Sequence, residues 1–209
     1  MGARRAVFLD RDGVINRNVF NRATGKYEAP LTAGDFELLP GVREALRGLR
    51  DAGYLLFLVS NQPNYAKGKC GLAGLRAIDA ELRRELATIG AQFAAAYYCL
   101  HHPDGKVPGY SGLCACRKPS PYFLLRARRQ FGLNFQQSWM VGDRATDIEC
   151  GRAAGVRTIL IDPSGRCDGQ APPDWIAPDL ATAAEIICAG HLSCRSNPFE
   201  LAGPVMAKP

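Results

Sequence analysis

The chain has 209 residues, 47% of them hydrophobic and 22% charged, which is enough apolar matter for a globular core and excludes global disorder. Its formal net charge of +6 comes mostly from arginine, 20 against 6 lysines. The arginines are scattered and form no basic stripe with interleaved aromatics, so the charge points to anionic ligands in general and not to nucleic acid. No apolar run approaches the roughly 20 residues that cross a bilayer, and MGARRA passes straight into a short strand without a secretory leader. A cytoplasmic monomer without membrane contact is expected.

The elements alternate strand and helix. Residues 5–9 read as a short apolar strand ending at Asp10. Val42, Ala45, Leu46 and Leu49 share one helical face, with Gly53 as a stop. Residues 54–59 (YLLFLV) are a continuous apolar run, the mark of a strand buried on both faces of a parallel sheet. Leu72, Leu75, Ile78, Leu82, Leu86 and Ile89 step by three or four and give a second amphipathic helix. Strands follow at 94–99, 139–141 and 157–161, and helices at 121–131, 146–154 and 180–188. Residues 189–209 are rich in Gly, Pro and Ser. The domain is drawn over 1–190, with 191–209 as a loosely attached tail. This order predicts a doubly wound, Rossmann-like α/β parallel sheet, with ligands at the carboxyl ends of its strands.

Polar residues gather at those ends. The first strand closes in Asp10-Arg11-Asp12-Gly13. Two carboxylates two residues apart repel one another unless a cation lies between them, and a hard divalent ion such as magnesium suits oxygen ligands. Asp143, after Gly142 at another strand end, supplies a third oxygen source; Asp147, one helical turn on, is either a ligand or a group behind one. Alone, the Asp-x-Asp-Gly segment also reads as an ordinary strand-to-turn cap. No phosphate-cradling glycine loop of the G-x-x-x-x-G-K or G-x-G-x-x-G kind is present.

Four segments in order, FLDRDGVIN at 8–16, VSNQ at 59–62, CRKPSP at 116–121 and VGDRATD at 141–147, resemble the haloacid dehalogenase superfamily of phosphotransferases. The resemblance implies that Asp10 attacks phosphorus to give an aspartyl-phosphate and that Asp12 protonates the leaving oxygen and then deprotonates water. It implies magnesium on the side chains of Asp10 and Asp143 and the backbone carbonyl of Asp12. Ser60 would hold phosphoryl oxygens, and Lys118 would neutralise them. The 47 residues between Asp12 and Ser60 and the 57 between Ser60 and Lys118 leave no room for a cap domain, so an open site framed by loops is expected.

Of the eight cysteines, Cys70, Cys150, Cys167, Cys188 and Cys194 are isolated, whereas Cys99-x-His101 and Cys114-x-Cys116 lie twelve residues apart. Three thiols and one imidazole match a closed structural zinc site that would pin the intervening Gly- and Pro-rich loop. Free core cysteines or a disulfide are the alternatives, and His102 competes with His101. His191 reads as a solvated residue of the tail.

Together with Arg117 and Lys118, this cluster is similar to the zinc-loop phosphatases acting on heptose bisphosphates, and also to those acting on histidinol phosphate. A sugar bisphosphate is therefore the expected substrate. Arg117 would take its non-reacting phosphate and Asn61 would contact substrate, with Lys67, Lys69 and Arg17 adding charge. Residues 16–30 and the Pro63-Asn64 pair depart from that family. A nucleic-acid-binding zinc module is the reading from a different class, and a 3′-end DNA phosphatase would leave the cysteine cluster unexplained.

Overall fold

A computed structural model describes residues 4–22, 24–164 and 172–192. Six parallel strands form one sheet: β1 (Ala6–Leu9), β4 (Leu55–Asn61), β5 (Ala95–Cys99), β6 (Trp139–Gly142), β7 (Arg157–Ile161) and β8 (Trp175–Ala177), in the order β5-β4-β1-β6-β7-β8. The chain winds outward from β1 through β4 to β5, then returns to the other side of β1 with β6. The order therefore reverses at β1, which is where such sheets open a crevice at their carboxyl ends.

Register fixes what each strand offers. Phe8 pairs with Phe57 and Met140, and Leu9 with Leu58 and Val141. Alternation sends Val7 and Leu9 to one face and Ala6 and Phe8 to the other, and each face has its own core. On the first pack α1 (Val42–Asp51), α3 (Leu72–Thr88) and α6 (Leu180–Leu192), through Leu46, Leu49, Leu82, Leu86 and Ile187. On the second pack α4 (Tyr122–Phe131) and α5 (Ala145–Ala154), through Leu124, Ala127 and Cys150. Covering both faces explains why the strand sequences are continuously apolar.

The doubly wound sheet and its five large helices follow the sequence reading, and three features go beyond it. Residues 16–30 contain a β-hairpin, β2 (Val19–Asn21) against β3 (Lys26–Glu28), with Phe20 opposite Tyr27. Its apolar residues are too few and too exposed to announce a strand pair. Pro63 opens a one-turn helix, α2 (Pro63–Ala66), where proline's missing N–H is no loss. The three-residue β8 extends the sheet edge. No cap intervenes: the hairpin and a short 3-10 turn fill the first insertion, and the loop between β5 and α4 fills the second. The last helix runs to Leu192, past the expected end at 188. Of the expected tail, residues 193–209, with Cys194, lie outside the described residues, as does Cys167. Among the described residues no helix is long and apolar enough to cross a membrane.

Phe57 stacks on Phe8 at 5.1 Å and meets the edge of Phe131 at 5.0 Å, fully buried. Phe57→Ala should lower the unfolding free energy by about 3–5 kcal/mol, read as a shift of the urea midpoint.

Candidate active site

Asp10 leaves β1 with its N–H still bonded to Val141 O at 3.0 Å, so the ladder itself places it beside the end of β6. Asp143 follows β6 directly, and Asp147 lies in the first turn of α5. Two glycines permit this approach. A Cβ on Gly13, whose φ is +86°, would stand 2.2 Å from Asp143 Oδ2, and one on Gly142 would stand 2.1 Å from Asp147 Cβ. The carboxylates of Asp10, Asp143 and Asp147 offer oxygens all within 4.8 Å of one another.

Lys118 enters this cluster from the far side. Its Nζ lies 2.9 Å from Asp10 Oδ1 and 2.6 Å from Asp147 Oδ1, and donates to Val59 O at 2.7 Å. Burial alone would discharge the ammonium, but the two carboxylates outweigh it and raise its pKa above the ordinary value. Its backbone is clamped by Asn61, which accepts from Lys118 N at 3.1 Å and donates to Lys118 O at 3.2 Å. The Asn61 side chain, expected on substrate, holds the lysine backbone and also lines the cavity that opens above the carboxylates.

Three carboxylates face one ammonium, leaving a formal charge of −2; the largely exposed Arg144 stands nearby, its Nε 3.8 Å from Asp143 Oδ1. The protonation of the acids records the deficit. Burial first, then Asp10 and Asp147, push Asp143 up to about 7. Burial, then Asp10, push Asp147 up to about 6 against the pull of Lys118. Asp143 Oδ1 is buried and accepts no hydrogen bond. Hard oxygen donors with two surplus negative charges fit a divalent ion of the magnesium type. Asp147, left open by the sequence, is first of all the partner of Lys118.

Asp12 and Ser60 lie beside this cluster, both buried. Asp12 is grasped by Arg11, Asn16 and Gln62, and Gln62 also donates to Ser60 Oγ at 2.9 Å. The sequence reading missed all three partners. Arg11 and Asn16 lie inside FLDRDGVIN and Gln62 closes VSNQ, so a polar residue at a buried strand end was the available signal.

The second cluster forms as expected. Cys99 Sγ lies 3.6 Å from Cys114 Sγ and 3.9 Å from His101 Nδ1; Cys116 Sγ lies 3.6 Å from Cys114 Sγ and 3.7 Å from His101 Nδ1. A tetrahedral ion with arms of about 2.0–2.3 Å requires ligand separations of about 3.5–3.8 Å, whereas a disulfide requires about 2.0 Å. His102 stands outside this group of converging donors, and its Nδ1 accepts from Asp104 N at 3.0 Å. The loop between the ligand pairs also docks on α2, Lys106 N and Val107 N both donating to Ala66 O, with Tyr110 edge-on to Tyr65.

Above the carboxylates opens a cavity of about 860 Å³. Asp10, Asp12, Lys118 and Asp147 line its floor; Tyr27 and Glu28 of the hairpin, Lys67, and Leu113, Arg117 and Arg144 line its walls. Arg117 donates to His101 O at 3.3 Å and still faces the cavity. Lys69 pairs with Glu28 at 2.7 Å, which largely neutralises it, and Arg17 pairs with Glu37 away from the cavity. Lys67 and Arg117, with the loosely held Arg144, are therefore the wall cations left for a ligand among the described residues.

Residues 115–183 match the family model Hydrolase_like, described as HAD-hydrolase-like. The chain is 39% identical over 203 residues to a D-glycero-D-manno-heptose-1,7-bisphosphate 7-phosphatase of Thermosynechococcus vestitus, covering 92% of this chain and 99% of that protein. It is 33% identical over 189 residues to D-glycero-beta-D-manno-heptose-1,7-bisphosphate 7-phosphatase of Yersinia pestis, covering 89% and 96%. A crystal structure of D,D-heptose 1,7-bisphosphate phosphatase from B. bronchiseptica, complexed with magnesium and phosphate, superposes with a TM-score of 0.75 at 29% identity, covering 89% of this chain and 99% of that one.

The raised acids give a pH signature. Asp143 and Asp147 bind protons more tightly folded than unfolded, so the metal-stripped protein should lose stability as pH rises from about 4 to 7 and level off above. Magnesium should restore the melting temperature most at pH 7 and above, where no proton competes, and Asp143→Asn should flatten the pH dependence. Melting curves across pH 5–8, with and without the ion, read both effects.

Proposed function

The chain belongs to the haloacid dehalogenase-like phosphatases of the heptose-1,7-bisphosphate 7-phosphatase family, and from that premise we propose that it removes the 7-phosphate of D-glycero-D-manno-heptose 1,7-bisphosphate through an aspartyl-phosphate. The observation that carries this reading is the buried Lys118 held between Asp10 and Asp147 at the mouth of β1.

Asp10 attacks phosphorus. Asp12 protonates the departing sugar oxygen and then takes a proton from the water that cleaves the acyl phosphate. Lys118 neutralises phosphoryl oxygens while Asp147 keeps its ammonium in place, and Ser60 donates its hydroxyl proton to the same group. α5 starts at the cavity wall, so the positive end of its dipole faces the bound anion. Magnesium, held by Asp10, Asp143 and the Asp12 carbonyl, would offset the surplus negative charge and polarise the phosphoryl oxygens. At the far end of the cavity Arg117, with Lys67, takes the phosphate that does not react. Asn61, which also lines the cavity, holds Lys118 and has a second amide N–H to offer the substrate. In the second cluster, zinc on Cys99, His101, Cys114 and Cys116 fixes the loop that carries Arg117 and Lys118. A monomer in the cytoplasm completes the proposal.

Phosphate release measured over a panel of sugar phosphates and histidinol phosphate should be fastest with the heptose bisphosphate, depend on magnesium, and vanish in Asp10→Asn. Arg117→Ala should lower kcat/KM for the bisphosphate on the order of 10- to 150-fold and for the monophosphate far less, as losing one charge-assisted pair of about 1.5–3 kcal/mol requires. Preference for histidinol phosphate, or an equal loss on both substrates, would redirect the assignment.

Elemental analysis of protein purified without chelator should find about one zinc per chain. His101→Ala should lose it and His102→Ala keep it. Protein free of zinc from the start would refute the structural ion.

A further inference from the structure

Four N–H groups converge on the carboxylate of Asp12. Oδ1 accepts from Arg11 Nε at 3.1 Å and Asn16 Nδ2 at 3.0 Å; Oδ2 accepts from Arg11 Nη2 at 3.2 Å and Gln62 Nε2 at 2.6 Å. Arg11, Asn16 and Gln62 are 1%, 0% and 1% exposed, so water does not compete for these bonds. Arg11 and Asn16 belong to the turn that carries Asp12 itself. Gln62 comes from a different strand, one residue past the end of β4.

The Gln62 amide has two N–H bonds to give, and Nε2 reaches two acceptors: Asp12 Oδ2 and, at 2.9 Å, Ser60 Oγ. Its carbonyl Oε1 is buried and accepts no hydrogen bond. A buried amide left half-satisfied is unfavourable, so its orientation is set by what the NH2 group does. With Ser60 Oγ already accepting from Gln62, the serine's own O–H is released for another partner. Its link to Asp12 is the shortest of the four.

We propose that Gln62 is a positioning residue for the acid/base, holding the Asp12 carboxyl at the angle from which it meets the leaving oxygen. This deepens the reading of Asp12 given above and rests on it. In the first chemical step an Asp10 oxygen forms a bond to phosphorus while the bond from phosphorus to the sugar oxygen breaks. The bonding electron pair stays on the sugar oxygen, which takes the Asp12 proton. Loss of the Gln62 donor leaves Oδ2 with one partner, Arg11, from its own turn. The carboxyl then tilts within the turn, and proton transfer suffers from misalignment although the acid is present.

The leaving group exposes this role. A sugar alkoxide departs only with a proton, whereas p-nitrophenolate departs without one. Any effect of Gln62 through Ser60, or through packing, falls equally on both substrates, because both present the same phosphoryl group. Gln62→Met keeps length and removes both donors; Gln62→Glu keeps shape and serves should the first variant fail to fold. The comparison is of kcat/KM, which reports the step in which the leaving group departs, for heptose 1,7-bisphosphate and p-nitrophenyl phosphate, with Asp12→Asn in parallel. Both Gln62 variants should lose on the order of 10- to 100-fold on the sugar phosphate and less than about 3-fold on the aryl phosphate, a smaller copy of the Asp12→Asn pattern. Equal losses on the two substrates, or no loss on either, would overturn the role of Gln62 while a selective Asp12→Asn leaves the acid/base assignment standing. An Asp12→Asn protein that is not selective would overturn that assignment and this inference together.

Discussion

A buried lysine ammonium at the floor of the cavity organises this site. Lys118 Nζ satisfies itself on two carboxylates and the Val59 carbonyl, and each partner comes from a different piece of chain: β1, β4 and α5. Removing one member of such a set strands a buried charge, which costs about 3–5 kcal/mol. The lysine is therefore as much a tie among three elements as a ligand for phosphate. It is also why Asp147 is fully buried and Gly142 bare, since the acid must lean over the end of β6 to reach it.

The placement of that lysine depends on the second cluster. Cys116 is two residues away and Cys114 four, so the loop reaches the cavity already bent around the thiol-imidazole tetrad. Asn61 then grips the Lys118 backbone on both sides. A loop without a core of its own thereby delivers a charged side chain with the precision of a strand end.

Much of this was legible in the sequence because the residues concerned are polar where a buried strand ends. Asp10, Asp12 and Asp143 declared themselves in this way, Lys118 by the CRKPSP segment, and Cys99, His101, Cys114 and Cys116 by spacing. What sequence could not supply was direction. Asn61 and Lys69 have the chemistry of ligand contacts, yet one bonds the Lys118 backbone and the other Glu28, partners 57 and 41 residues away. The β2–β3 hairpin escaped because three-residue strands with mixed exposure carry no period to count. Gln62 and Asn16 escaped because an amide next to a catalytic motif looks the same whether it faces solvent or an acid.

The hairpin and the sheet have different obligations. None of the six strand residues of β2 and β3 is buried, and the pair is fastened to the neighbouring loop by the Glu28–Lys69 ion pair at the surface. Substitutions there touch no core side chain and fall in the range where surface changes move stability by about half a kcal/mol or less. The cavity wall can thus drift through many sequences while the carboxylates beneath it stay fixed. Such a scaffold separates the residues that meet the far end of a ligand from those that hold the fold, so the rim can be rebuilt without disturbing the core.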